Sequence, residues 1–138
     1  MAVVLLDTSV ASMFLPERRV RAERSLYEPH LSGNTLALCF QSAAELWKLA
    51  EKNGWSQRRC DALDAFIRRF LVIPYDYGLT RVWARVTASE ERAGRPFETA
   101  DAWIAATAVH RELPLYAHDS DFLGRSIAGL NVVSFMTR

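Results

Sequence analysis

The sequence predicts an α/β domain of three layers, α/β/α, around a central, mainly parallel sheet of five strands. Three observations carry that expectation. Five short apolar runs punctuate the chain, longer segments of helical periodicity separate them, and the runs are continuously apolar rather than alternating. Strands that alternate with helices favour parallel pairing through crossovers. Continuously apolar strands suit a sheet covered on both faces. With 138 residues, the chain is expected to form one domain, 1–138, that buries a core without disulfide or metal staples.

The first run, "AVVLL" at 2–6, stops at Asp7, which Thr8 and Ser9 follow. Such a group after a strand can cap a helix, so Asp7 has a structural reading beside any chemical one. A helix is expected over about 17–27, after Pro16, with Arg18, Arg19, Arg21 and Arg24 mostly on a solvated face. Strand 36–40, "LALCF", leads into a helix over 41–53 that ends before Gly54. Ser42 and Glu45 have the spacing of a capping box at its start. Residues 57–70 place Cys60, Leu63, Ile67 and Phe70 on one helical stripe. Strand 71–75, "LVIPY", precedes a helix over 79–93 with Leu79, Trp83 and Val86 on one side and Gly94 at its end. Thr99 is the expected cap of a helix over 99–112, which stops before Pro114. Runs 113–117 and 131–135 complete the strands, and Asp119 or Asp121 is placed to cap a short helix at 121–125 between them.

Composition narrows the function classes. No apolar run approaches the roughly 20 residues needed to span a bilayer. The amino terminus lacks the basic start and long apolar stretch of a secretory leader, so a cytoplasmic protein is expected. Cys39 and Cys60 sit in apolar patterns without metal-like spacing and read as reduced core residues. The net charge of +1 does not announce a polyanionic partner, but of 17 basic residues only Lys48 and Lys52 are lysines. Arginine suits bidentate phosphate contacts. Arg81, Arg85 and Arg92 form one stripe directed toward Gly94 and the Asp101 loop, the best candidate for an RNA backbone contact. Trp47, Trp83 and Trp103 read as core or dimer-interface residues, and His118 as an exposed residue at a strand end.

The acids carry the functional argument. In open parallel sheets, ligand sites lie beyond the carboxyl ends of the strands. Asp7 follows the first strand, Asp119 follows strand 113–117, Glu45 lies one turn into the helix after strand 36–40, and Asp101 lies in the first turn after Thr99. Parallel neighbours bring all four to one edge. Each acid also has a local reading: a cap for Asp7, a capping box for Glu45, helix-dipole compensation for Asp101, and a cap for Asp119. Converging, they repel one another, and no lysine is placed in sequence as an obvious counter-charge. An all-oxygen cluster suits Mg²⁺ or Mn²⁺. Such ions polarise phosphodiesters and activate water. No nucleophile elbow and no glycine-rich phosphate loop is present.

The stretches "LLDTSV", "SAAEL", "ERAGRPFETADAWIAATA" and "LPLYAHDSDF" resemble the PIN-domain ribonucleases, and among them the VapC-type toxins of bacterial toxin–antitoxin pairs. They run over nearly the whole chain, and the third is the most specific. The resemblance implies that Asp7, Glu45, Asp101 and Asp119 are the catalytic, metal-holding acids, with Ser9 a supporting hydroxyl. It further implies a Mg²⁺- or Mn²⁺-dependent endoribonuclease, a homodimer, a cognate VapB-type antitoxin, and structured RNA such as tRNA or rRNA as target. At Ala117 the sequence departs from the Thr or Ser common in the family, which leaves Asp121 as a competitor of Asp119. Two other classes compete. A haloacid-dehalogenase-type phosphatase also begins strand-Asp, but wants an acid where this chain has Ser9. A non-catalytic phosphoacceptor or RNA-binding module would use the acids only to hold an ion.

Overall fold

The computed structural model describes residues 2–16 and 21–137. Five strands form one sheet: β1 (Val3–Leu6), β2 (Thr35–Cys39), β3 (Leu71–Ile73), β4 (Leu115–Tyr116) and β5 (Val132–Val133). Their order is β3-β2-β1-β4-β5 and every pairing is parallel. The sheet is therefore wholly parallel, as continuously apolar strands require when both faces are covered. Four of the five strands are shorter than the runs that predict them, and β2 is as long as its run but starts one residue earlier. Phe40, for example, already begins a helix, and Pro74 ends β3 because it has no N–H to give a ladder.

Alternation along the strands splits the core in two. Val4, Leu6 and Leu38 face one layer, where α1 (Thr8–Ser12), α2 (Arg24–Leu31), α3 (Phe40–Lys52) and α4 (Gln57–Ile67) supply Val10, Tyr27, Leu46, Ala50, Leu63 and Phe66. Leu5, Ala37, Cys39 and Leu115 face the other layer, against Ile104, Ala105 and Ala108 of α6 (Thr99–Arg111). The remaining helix, α5 (Tyr77–Arg92), packs on α6 and is capped by Asp76, whose carboxylate accepts from the Leu79 N–H at 2.8 Å. At the other end, Gly94 takes φ 75°, where a side chain would be strained. Its place after the last turn fits a helix stop.

Several expected boundaries are corrected. The helix expected over 17–27 is found as α2, from Arg24 to Leu31, and runs through Pro29; Arg18 and Arg19 lie outside the described residues. Arg21 pairs with Glu23, while Arg24 pairs with Glu28 and lies over the Phe14 ring. α4 ends at Ile67, so Phe70 joins the same core cluster from beyond the helix. Thr99 is not the cap of α6. The N-cap is Glu98, which makes no side-chain cap bond. The short helix near 121–125 is a 3-10 turn, Ser120–Phe122, and Asp119 caps it. Cys39 and Cys60 are free thiols, as expected. Among the described residues, no helix is long and apolar enough to cross a membrane.

Candidate active site

The chain builds β2 and β3 on one side of β1, then crosses to place β4 on the other. That reversal makes the carboxyl end of β1, beside β4, the natural crevice of the fold. Asp7 stands there. Its N–H donates to the Tyr116 carbonyl at 2.9 Å, continuing the β1–β4 ladder, and its residue is 2% exposed. One carboxylate oxygen accepts from the Val10 N–H at 2.8 Å, capping α1. The other accepts from the His118 N–H at 3.3 Å. The helix cap is thus a full role of Asp7, and the same side chain joins β1 to the segment after β4.

Glu45 reaches this crevice for a reason the sequence disguised. The expected capping box is absent, because α3 starts earlier, at Phe40, with the Cys39 sulfur accepting from the Gln41 N–H. Ser42 is therefore already inside the helix and fully buried. Thr8 Oγ1 lies 2.9 Å from Ser42 Oγ and donates to Glu45 Oε1 at 3.0 Å. The hydroxyl tied to an acid is that of Thr8. Ser9 lies beside it in α1, and its carbonyl accepts from the Ser12 hydroxyl at 2.9 Å.

Asp101 comes from the first turn of α6, and Asp119 from the end of the β4 segment, where it accepts from the Asp121 N–H at 2.9 Å. Burial raises the Asp7 carboxyl to about 7, with lesser contributions from the charges of Asp119 and Glu45, against the two N–H bonds that favour ionisation. Burial likewise raises Asp101 to about 8, assisted by a side-chain hydrogen bond with Asp121 and by the charges of Asp119, Asp121 and Glu45. Asp119 and Glu45 thus act on both raised acids, whereas Asp121 acts on Asp101.

Asp121 is otherwise committed. It is not the helix cap; its carboxylate meets Arg125 Nη2 at 2.6 Å and accepts from the Glu98 N–H at 3.3 Å. Arg125 is a residue that periodicity gave no reason to single out. Its side chain is 6% exposed, pairs with the buried Glu90 at 3.1 Å, donates to the Arg95 carbonyl, and lies 3.6 Å from the centre of the Phe97 ring. One buried guanidinium thereby ties the end of α5, the loop into α6 and the 3-10 turn together.

The remaining sequence candidates fall as follows. His118 is half-buried rather than an exposed strand end, and its Nδ1 lies 2.6 Å from the Tyr27 hydroxyl. Trp83 stacks on Trp103 at 5.0 Å between centroids, Phe40 and Tyr75 meet Trp103 edge-on, and Trp47 packs on the first core layer. Arg81, Arg85 and Arg92 are exposed on α5. Arg85, however, lines a groove with Val109, Glu112, Pro114 and Asn131. That groove lies where the chain enters β4 and β5, at the edge opposite the acids, whereas Arg92 lies in the last turn of α5, two residues before Gly94 and the loop into α6. α5 runs antiparallel to α6, with Gly78 against His110 and Trp83 against Trp103, so the last turn of α5 lies toward the start of α6. Conversely, Lys48 lines a groove with Glu45 and Ala100, so a cation does stand near the acids.

Among the described residues, no group of three or more His, Cys, Asp or Glu side chains is gathered tightly enough to cage an ion. The donor set nonetheless fits a hard divalent cation. It is all oxygen, it has more negative charge than its local partners balance, and two of its members are held well above the usual carboxyl value of 3.8. Mg²⁺ keeps several of its waters and needs only one or two direct carboxylates, so the other acids can act through water.

The PIN domain family profile matches residues 4–126. Ribonuclease VapC5 of Mycobacterium tuberculosis (strain ATCC 25618 / H37Rv) is 40% identical over 50 residues, a stretch that spans 36% of this chain and 37% of that relative. The DNA-bound VapBC structure from Salmonella typhimurium is similar with a TM-score of 0.79 at 23% identity, over 97% of this chain and 98% of the other. VapBC-5 of Mycobacterium tuberculosis, a member of the VapBC family of toxin–antitoxin systems, is similar with a TM-score of 0.68 at 25% identity, over 99% and 100% of the two chains.

Proposed function

The chain belongs to the PIN domain family, and from that premise we propose that it is a Mg²⁺- or Mn²⁺-dependent endoribonuclease, the toxin of a VapBC-type pair. What supports this reading is that the charges of Glu45 and Asp119 act on both Asp7 and Asp101 near the switch point of a parallel sheet, where burial raises those two acids to about 7 and about 8. Bound there, a divalent ion would polarise the scissile phosphodiester and activate the attacking water. The chain's own residues do the positioning. Two N–H donors hold Asp7, the Thr8 hydroxyl holds Glu45, and the 3-10 turn holds Asp119. Asp101 stands in the first turn of α6, where its carboxyl shares a side-chain hydrogen bond with Asp121. Ser9 supports the site beside Asp7.

The relatives named above are a ribonuclease and toxin–antitoxin assemblies, and they support extending the reading to partners. We place the protein in the cytoplasm as a homodimer, restrained by a small VapB-type antitoxin and acting on tRNA or rRNA. The test has two arms. Purified protein should cleave RNA with Mg²⁺ or Mn²⁺ and stop when the ion is chelated; cleavage that survives chelation contradicts the reading. Expressed alone, the chain should arrest growth, and co-expression with a small protein encoded beside it should restore growth. Equal arrest by wild type and Asp7→Asn, at matched protein levels, would sever toxicity from the acids.

A further inference from the structure

Only two of the 17 basic residues are lysines, Lys48 and Lys52, and both lie in one groove that begins at the acids. Gln41, Glu45, Lys48 and Lys52 are spaced i, i+4, i+7 and i+11, so α3 presents them along one face. They line an open groove of about 380 Å³, and Ala100 joins from the first turn of α6, one residue before Asp101. Both ammonium groups are carried by exposed residues, and among the described residues neither makes an ion pair or hydrogen bond. Two uncompensated cations beside an acidic cluster are not there to neutralise it. The helix carries Lys48 about 4.5 Å and Lys52 about 10.5 Å beyond Glu45 along its axis. Their mutual rise of about 6 Å is close to the separation of successive phosphates in an extended single strand.

We propose that this groove holds the RNA strand on one side of the scissile bond, with Lys48 and Lys52 each taking one backbone phosphate of successive nucleotides. The inference rests on the nuclease reading above and adds to it the track along which the substrate leaves the acids. An acidic peptide fits less well, because it would approach Glu45 and Asp101 with its own carboxylates and no ion to bridge them. Phosphates suit compact, freely rotating ammonium groups used as point charges. The contact is to the backbone, so it positions RNA without selecting sequence.

The test is binding of a short, labelled, single-stranded RNA of mixed sequence to the full chain over a salt series without divalent ions, followed by cleavage with Mn²⁺. Lys48→Ala/Lys52→Ala should reduce the magnitude of the log K against log[salt] slope by about 1.4, two phosphates at about 0.7 each. It should raise KM for cleavage far more than it lowers kcat. Lys48→Arg/Lys52→Arg should restore the slope, and Arg68→Ala, at the end of α4 where the chain enters β3, should leave it unchanged. An unchanged slope in the double alanine variant, with wild type still binding and cutting RNA, overturns the track and leaves the nuclease reading standing. Loss of acidic-peptide binding with the RNA slope intact also overturns it, by giving the groove to a protein partner. A wild type that neither binds nor cuts RNA overturns both readings together.

Discussion

Thr8 shows how a single residue decides what its neighbours do. Beside the buried Ser42, whose Oγ lies 2.9 Å away, its hydroxyl reaches Glu45 at 3.0 Å. Thr8→Val keeps the shape and removes that donor. It should cost about 1 kcal/mol of stability, readable as a small fall in melting temperature, while lowering kcat for RNA more than it changes KM; normal turnover would show that Glu45 needs no orienting. Asp7, Glu45, Asp101 and Asp119 were visible in the sequence because each sits at a strand end or in a first helical turn, positions that a parallel sheet brings to one edge. Thr8 and Arg125 were not visible. A hydroxyl after an aspartate looks like a cap, and beyond Asp121, four positions before it, the partners of Arg125 are Glu90, 35 positions away, and carbonyls of a loop. Ser42 misled for a related reason. Three-residue spacing to a glutamate has the form of a capping box, and only the earlier start of α3 makes it a buried tertiary contact.

At the scale of elements, strand–helix alternation and helix stops were legible because they are local. Gly54 and Gly94 follow their helices with φ 59° and 75°, and Ser56 and Asp76 cap α4 and α5. The short α1 was announced only by its cap, Asp7, and α2 was expected over about 17–27 where the structure has Arg24–Leu31. The orientation of α5 was also out of reach. Periodicity put Arg81, Arg85 and Arg92 on one stripe, and the antiparallel pairing with α6 spreads it from the groove that Arg85 lines to the turn at Gly94. The loop between those two helices is held by Arg125. Arg125→Leu would leave Glu90 buried with only the longer 3.8 Å contact to Arg95. The expected cost is on the order of 3–5 kcal/mol, measured by denaturant midpoint. Arg125→Leu/Glu90→Leu should recover much of it, and equal stability of the two variants would show that burial of the unpaired glutamate is not the cause.

For the whole molecule, a near-neutral net charge of +1 conceals a strongly uneven distribution, with carboxylates gathered at one edge and two lysines leading away from it. The consequence for stability has a definite sign. Asp7 and Asp101 ordinarily titrate near 3.8 and are raised to about 7 and about 8 in the fold. The folded state therefore holds their protons more tightly than the unfolded chain. Stability from these groups is full below about 3.8 and is lost as pH rises toward about 8. The metal-free protein should melt several degrees lower at the upper end of that window than near its acidic end, and Mn²⁺ should reverse the loss where the acids are ionised; a metal-free melting temperature that rises with pH would refute the assignment. The central claim is that Asp101 holds a metal and is not a structural cap. The most direct test is the melting temperature of wild type and Asp101→Asn near the upper end of the window, each without metal and with Mn²⁺. Removing one charge from a repelling group relieves the apo protein, so Asp101→Asn should melt no lower than wild type without metal and gain much less from Mn²⁺. A substantially lower metal-free melting temperature, with the response to Mn²⁺ intact, would make Asp101 a helix cap and contradict the account.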